Sequence, residues 1–305
     1  MREIEVAIAT DFAGESEKLE DIEMMLKKVA EAGFTHIHWC HEWDGDYLYS
    51  YYEMKQIREW MDKYGLKVKS LHASKGSRRD TSVMKVHYRK DYTSGWEYNR
   101  RAGVELIKNR VDLASCIGAS EIVLHLYVPY ISFREGEKNR AEFYSNVKKS
   151  LDELQPYCLE KGVKICLENL FDQPEEDMLE QWDWVMSEYS AEFLGFCLDA
   201  GHGYMVWREK LEKLIRKYGE RIFSIHLHDN YGACDIHMLP GDGTIPWKTV
   251  MKALAQSAYR LPLVLEVSCG QEDLDDFLKR ALERGQWLTK MYLECFSISE
   301  SELFQ

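Results

Sequence analysis

Six segments of the chain finish on side chains able to hold a metal ion or move a proton. Four of them are Ser70-Leu71-His72, Val123-Leu124-His125, Cys166-Leu167-Glu168-Asn169 and Cys197-Leu198-Asp199-Ala200-Gly201-His202. The others are Ser224-Ile225-His226-Leu227-His228-Asp229-Asn230 and Val264-Leu265-Glu266. Each begins as a short apolar run, a strand signal, and carries its His, Asp or Glu at the carboxyl end. Alternation along a strand turns Ile165 and Leu167 to one face and Cys166 and Glu168 to the other. The same count sets Val264 and Glu266 together, and His226 opposite Ile225 and Leu227. Inward carboxylates and imidazoles in register would repel one another and lose their hydration. A bound divalent cation removes that conflict, so Glu168, Asp199, His226 and Glu266 are the expected ligands. With no Cys expected at a strand end, the donors are oxygen and imidazole, which suit Mn2+, Mg2+, Co2+ or Zn2+.

Further residues surround this set. His202, three beyond Asp199, reaches either a metal or a substrate hydroxyl. Asp235 and His237 precede Leu239-Pro240-Gly241-Asp242-Gly243, whose tight turn projects them back over the same mouth. His36 and His38 read as deeper core or supporting groups, and His87 as a solvated loop residue. Trp39, Trp43, Tyr47, Tyr127, Tyr130 and Trp247 can stack on a sugar ring, against the plainer role of core aromatics.

The elements that must position these groups alternate in type. Strands are expected at 6–9, 36–39, 68–71, 122–126, 163–167, 194–198, 222–227 and 263–267. Helical patterns occupy 17–32, 51–64, 98–116, 140–161, 176–189, 205–218, 247–256 and 274–288. Strand–helix alternation implies a parallel sheet. Eight units in this length favour a closed (β/α)8 barrel, an α/β fold whose catalytic groups sit at strand carboxyl ends. No G-x-G-x-x-G turn follows the first strand, which weighs against a dinucleotide-binding open sheet. Gly33, Gly65, Gly118 and Gly162 stand where helices end and strands begin. No linker divides the chain, so residues 1–305 read as one domain. The loop 74–96, with Arg78, Arg79, His87, Tyr88 and Arg89, is placed to cover the barrel mouth. The tail 291–305 packs either on the barrel or on a second copy, in a homo-oligomer.

Composition narrows the partners. The 305 residues are 45% hydrophobic, enough for one large core, and carry a net charge of -13 from 52 acidic and 39 basic residues. The densest basic cluster, Lys75 to Arg79, is too short to track a phosphate backbone, so nucleic acid is not the expected partner. Eight scattered cysteines form no C-x-x-C pair. With no signal peptide and no apolar run of membrane-spanning length, the expected compartment is the cytoplasm and no membrane partner is expected.

The chain resembles the xylose isomerase-like TIM barrel superfamily, over nearly its whole length. That superfamily includes sugar and sugar-phosphate isomerases and epimerases, dehydratases, and the family 2 AP endonucleases. The resemblance is strongest in 224–230 and in Pro240-Gly241-Asp242-Gly243-Thr244-Ile245-Pro246-Trp247. It implies a metal held by Glu168, Asp199, His226 and Glu266, the set that binds a single ion in the epimerases, with Mn2+ first among the candidates. Nine residues also correspond to the three-zinc site of endonuclease IV: His72, His125, Glu168, Asp199, His202, His226, Asp235, His237 and Glu266. The flanks depart from the nuclease, because Leu170-Phe171-Asp172-Gln173 replaces an Ala-Gly-Gln run, and His228 and Asn230 replace its residues after the seventh strand.

The expected activity is metal-dependent isomerisation or epimerisation of a small sugar or sugar phosphate through an enediolate. Glu168 and Glu266 are the expected bases, as in the epimerases that the chain resembles. His72, His125, His202, Asp235 and His237 bind substrate or a second metal. The alternatives are a dehydratase on the same scaffold, an endonuclease IV-like metal phosphodiesterase, and a sugar-binding barrel without catalysis.

Overall fold

Runs of Val, Ile, Leu and Cys, too short for buried helices, are satisfied when both faces of a parallel sheet are covered. The computed structural model describes residues 4–14, 19–43, 45–74, 78–80, 86–88, 90–126 and 133–303, and of residues 78–80, 86–88 and 297–303 only the backbone. Eight parallel strands form the wall: β1 (Val6–Ala9), β2 (His36–Trp39), β3 (Lys67–His72), β4 (Glu121–His125), β5 (Lys164–Glu168), β6 (Leu194–Asp199), β7 (Ile222–His226) and β8 (Leu263–Leu265). They pair in chain order from β1 to β7, and β8 returns to β1. Closure is made just above β7, where Leu227 N donates to Val264 O (3.0 Å) and Glu266 N to Leu227 O (3.2 Å). The result is the (β/α)8 barrel expected from the alternation.

Helices cover the outside. They are α1 (Leu19–Ala32), α2 (Tyr51–Tyr64), α3 (Glu97–Ile117), α4 (Glu137–Lys161), α5 (Glu175–Glu188), α6 (Ala200–Trp207), α7 (Leu211–Tyr218), α8 (Trp247–Ala255) and α9 (Leu274–Leu303). Ile165 and Leu167 pack into the large core between wall and helices. Val123, Cys166 and Cys197 form a separate small cluster with Phe223. Strand alternation therefore works as expected, with Glu168 continuing the face of Cys166.

Two helices differ from expectation. The pattern at 205–218 is two helices, because α6 starts at Ala200 and Arg208, at φ +51°, turns the chain into a 3-10 turn before α7. The last helix runs on through the expected tail to Leu303, with Leu288 and Tyr292 buried. In the loop expected to cover the mouth, Arg78–Asp80 and Val86–Tyr88 pair antiparallel. The side chains of Arg78, Arg79, His87, Tyr88 and Arg89 lie outside the described residues. Among the described residues no helix is long and apolar enough to cross a membrane.

One close approach ties the helical layer to the barrel mouth. A Cβ at Gly103 of α3 would stand 2.4 Å from Tyr92 N and 2.6 Å from the Asp91 carbonyl carbon, so only hydrogen fits. Tyr92 in turn donates its hydroxyl to His125 O at the end of β4 (2.8 Å). Gly103→Val should cost about 1–3 kcal/mol, the usual range for overpacking, read from urea denaturation. A wild-type midpoint would mean that the 91–92 segment yields freely.

Candidate metal centre

Parallel register brings the donors side by side. His125 pairs with Glu168 across β4 and β5, and Asp199 with His226 across β6 and β7. Glu168, 2% exposed, is the hub. Its Oε2 lies 3.1 Å from His125 Nε2 and 3.4 Å from His72 Nε2, and its Oε1 lies 3.1 Å from His226 Nδ1 and 3.4 Å from His202 Nδ1. His226 Nδ1 also stands 3.2 Å from Glu266 Oε2 and 3.9 Å from Asp199 Oδ2.

The expected residues thus fall into contiguous groups whose ligand atoms lie within 4.8 Å of one another. Glu168, Asp199, His226 and Glu266 are one group, and His72, His125 and Glu168 another sharing Glu168. His202, Asp235 and His237 form a third, joined by His228. The expectation that no Cys stands near a strand end needs correction. Cys40 directly follows β2 and groups with His38 and Glu266, because closing the barrel sets β8 beside β1, whose other neighbour is β2. Burial and neighbouring Asp11 and Glu266 push its thiol well above the ordinary range, so it stands there as a neutral group.

Electrostatics follow from this crowding. Burial opposes ionisation of Glu168, yet His226, His125 and His202 hold its carboxyl well below the usual range. Glu266 is likewise held low against burial, chiefly by His226. His226 and His202 are raised well above the ordinary imidazole value despite burial, by Cys197, Glu266 and Glu168 in one case and Asp199, Asp235 and Glu168 in the other. The histidines thus stand in for cations, and the oxygen-plus-imidazole set fits a divalent ion.

A cavity of about 410 Å³ opens over these groups, a volume that suits a small polar ligand. Trp43 stands at one side, its ring 4.5 Å from that of His72, and Phe171, 40% exposed, lies 4.8 Å from that of His202. Other aromatic candidates are structural. Trp39 is buried and donates to Tyr49 Oη (3.0 Å), and Trp247 donates to Asp229 Oδ2 (2.7 Å). Tyr47 is 39% exposed and paired with Glu53. Tyr127 and Tyr130 lie outside the described residues. His38 is buried beneath His226 with Nδ1 2.8 Å from Ser70 Oγ, a supporting group as expected. His36 lies at the opposite end of the barrel, beside Thr35 Oγ1 (2.8 Å).

Sequence reasoning missed four contributors. Asp11, just past β1, lines the cavity, and burial and Glu266 raise its carboxyl. Asn169 clamps the β6 end, donating Nδ2 to Asp199 O (2.8 Å) and accepting from Asp199 N (2.8 Å). Asp229 accepts from the backbone N–H of Asn230, Gly241 and Ile245 and from Trp247 Nε1, which fixes the segment carrying Asp235 and His237. His228 was read only as a departure from the nuclease pattern. Its signal was its place two residues beyond His226, on the same face of an extending strand.

The relatives agree with this architecture. The xylose isomerase-like TIM barrel family matches residues 26–291. An uncharacterized protein, y4fM, of Sinorhizobium fredii is 35% identical over 254 residues, 81% of each chain. Fructoselysine 3-epimerase of Shigella flexneri is 23% identical over 208 residues, 63% of this chain and 71% of that protein. The crystal structure of a D-tagatose 3-epimerase-like protein superposes with a TM-score of 0.66 at 22% identity, covering 97% of this chain and 99% of that one, which shows a shared fold. By the span of the family match and the closeness of the Sinorhizobium relative, the chain belongs to the xylose isomerase-like TIM barrel family.

Proposed function

We propose that the protein is a divalent-metal-dependent isomerase or epimerase of a small sugar or sugar phosphate, with Glu168 and Glu266 as its bases. The observation that carries this reading is the approach of both carboxylates to one nitrogen, His226 Nδ1, at 3.1 and 3.2 Å on the cavity floor. Moving a proton at carbon next to a carbonyl needs one base to take it, and inversion needs a second group to return it on the other face. Two ionised carboxylates from different strands meet that need. A divalent cation among Glu168, Asp199, His226 and Glu266, Mn2+ first, supplies Lewis-acid polarisation of the hydroxy-carbonyl group. His72 and His125, 3.4 and 3.1 Å from Glu168 Oε2, orient the Glu168 carboxylate and line the cavity beside the substrate. Trp43 and Phe171 offer apolar faces to the ring carbons. The relatives named for epimerisation of fructoselysine and tagatose support the same class.

A metal phosphodiesterase is the second reading, favoured by the grouping of nine residues into three donor sets, two of them sharing Glu168. Net charge of -13 weighs against a nucleic-acid substrate. One experiment separates them. Metal-loaded protein in D₂O is given ketoses, aldoses and their phosphates, and in parallel a DNA duplex with one abasic site. Deuterium at carbon beside a carbonyl, with intact DNA, is expected. Metal-dependent nicking by catalytic amounts of protein, without deuterium uptake, would reverse the ranking.

Glu168→Gln and Glu266→Gln should each slow turnover by about 10²–10⁴-fold, the usual worth of a positioned acid or base. Wild-type kcat in either variant at saturating metal would remove it from proton transfer. Metal removal should also lower the melting temperature, since an ion at 100 times its Kd stabilises the native state by about 2.7 kcal/mol. A melting curve unchanged after verified stripping counts against this site.

A further inference from the structure

Helix α3 buries Gly103, Ile107, Ala114 and Ile117 along one stripe, and the spacing calls for an apolar side chain between them at position 110. The chain places an arginine there. Arg110 is 0% exposed, and among the described residues it forms no ion pair with a carboxylate. Its Nε is buried without a hydrogen-bond partner. A guanidinium kept from water in this way costs free energy that an apolar side chain of like volume would not.

What the cation holds accounts for its place. Arg110 Nη2 donates to Glu42 O (3.0 Å) and Nη1 to Asn109 Oδ1 (3.0 Å), and the guanidinium lies 4.7 Å from the centre of the Tyr49 ring. Asn109 also accepts from Tyr49 N (2.9 Å) and donates to Tyr49 O (2.9 Å). Tyr49 Oη donates to His41 O (2.8 Å). Two neighbouring residues of α3 thus hold the loop after β2 at Glu42 and at Tyr49, and Tyr49 holds His41. Glu42 is the strained member, with a left-handed φ of +60° that glutamate adopts at a cost and glycine does not. The residue after it is Trp43, which lines the cavity with its ring 4.5 Å from that of His72 and 5.7 Å from that of His125. Those are two of the imidazoles that face Glu168.

We infer that Arg110 is a positioning residue for the substrate cavity: by holding the Glu42 carbonyl it keeps Glu42 left-handed, and so sets the Trp43 ring against His72 and His125. A planar fork reaches Asn109 Oδ1 and Glu42 O together, which a lysine ammonium or an apolar side chain does not do. With the Glu42 carbonyl released, the backbone before Trp43 is free to leave its strained conformation, and the wall beside Glu168 moves with it. That this wall meets a sugar rests on the function proposed above; the placement of Trp43 by Arg110 does not.

The test reads Trp43 directly. The full-length protein is labelled with fluorinated tryptophan, and the Trp43 fluorine resonance is assigned by its loss in Trp43→Phe. In Arg110→Met, similar in volume but unable to donate, that resonance is expected to shift. The remaining tryptophans, apart from Trp39 beside Tyr49, are expected to keep theirs. Adding Glu42→Gly to Arg110→Met is expected to return the Trp43 resonance towards its wild-type position, because glycine takes a positive φ without help. A side chain that only filled space under the loop would not be replaced by a glycine across the hydrogen bond. An unmoved resonance in Arg110→Met, or no return in the double variant, overturns the assignment. Should Arg110→Met alone not fold, the double variant decides: recovery of folding and of the Trp43 resonance supports the assignment, and its absence overturns it. Neither readout needs turnover, so a failure here is distinct from a failure of the proposed reaction.

Discussion

Three carboxylates and one imidazole share a space at the top of the barrel that water barely reaches. Glu168, Asp199 and Glu266 expose 2%, 0% and 9% of their surface, and His226 none. Stripping water from such anions costs several kcal/mol each, and their mutual repulsion adds to it. The rest of the mouth is arranged around that conflict. His72, His125, His202 and His226 all face Glu168 within 3.4 Å, a partial neutralisation made by the chain itself. It works only while strand register is kept, because a one-residue slip would turn every donor to the helix side.

Neutral and anionic hydrogen-bonding groups hold the donors from behind. Asn169 fixes Asp199 through both its backbone N–H and its backbone carbonyl, so β5 and β6 are tied together at their ends. Asp229 is a buried carboxyl group with four N–H partners, which makes its burial tolerable and gives the segment after β7 a fixed course. The same segment is held from outside by α9, where Arg280 and Arg284 reach Asp242 at 2.8 and 2.7 Å. The long last helix thus bears on the mouth through one carboxylate.

Residues whose role follows from periodicity were legible in the sequence. The eight strands, the inward turn of Glu168 and the positive φ of Gly33, Gly65, Gly118 and Gly162 all follow from local pattern. Residues whose role depends on barrel closure were not. Cys40 and Asp11 approach Glu266 only because β8 returns beside β1. The break at Arg208 was hidden because a positive φ at arginine has no sequence signal. The continuation of α9 to Leu303 was missed because Tyr292, beyond the expected helix end, is held by a distant residue, donating its hydroxyl to Tyr259 O (3.0 Å).

Asp199 ends β6 and also opens α6, its Oδ1 accepting from His202 N at 2.7 Å as the helix cap. Asn, Ser and Thr cap helices comparably, but none brings a negative charge. Glu brings the charge on a longer arm ill suited to capping. The two duties together leave Asp as the one residue that serves both. They also make the α6 turn answer to the charge balance of the floor: whatever draws the Asp199 carboxylate away from the His202 amide loosens the first turn of α6. Secondary structure and the charge balance of the floor are therefore joined through a single side chain.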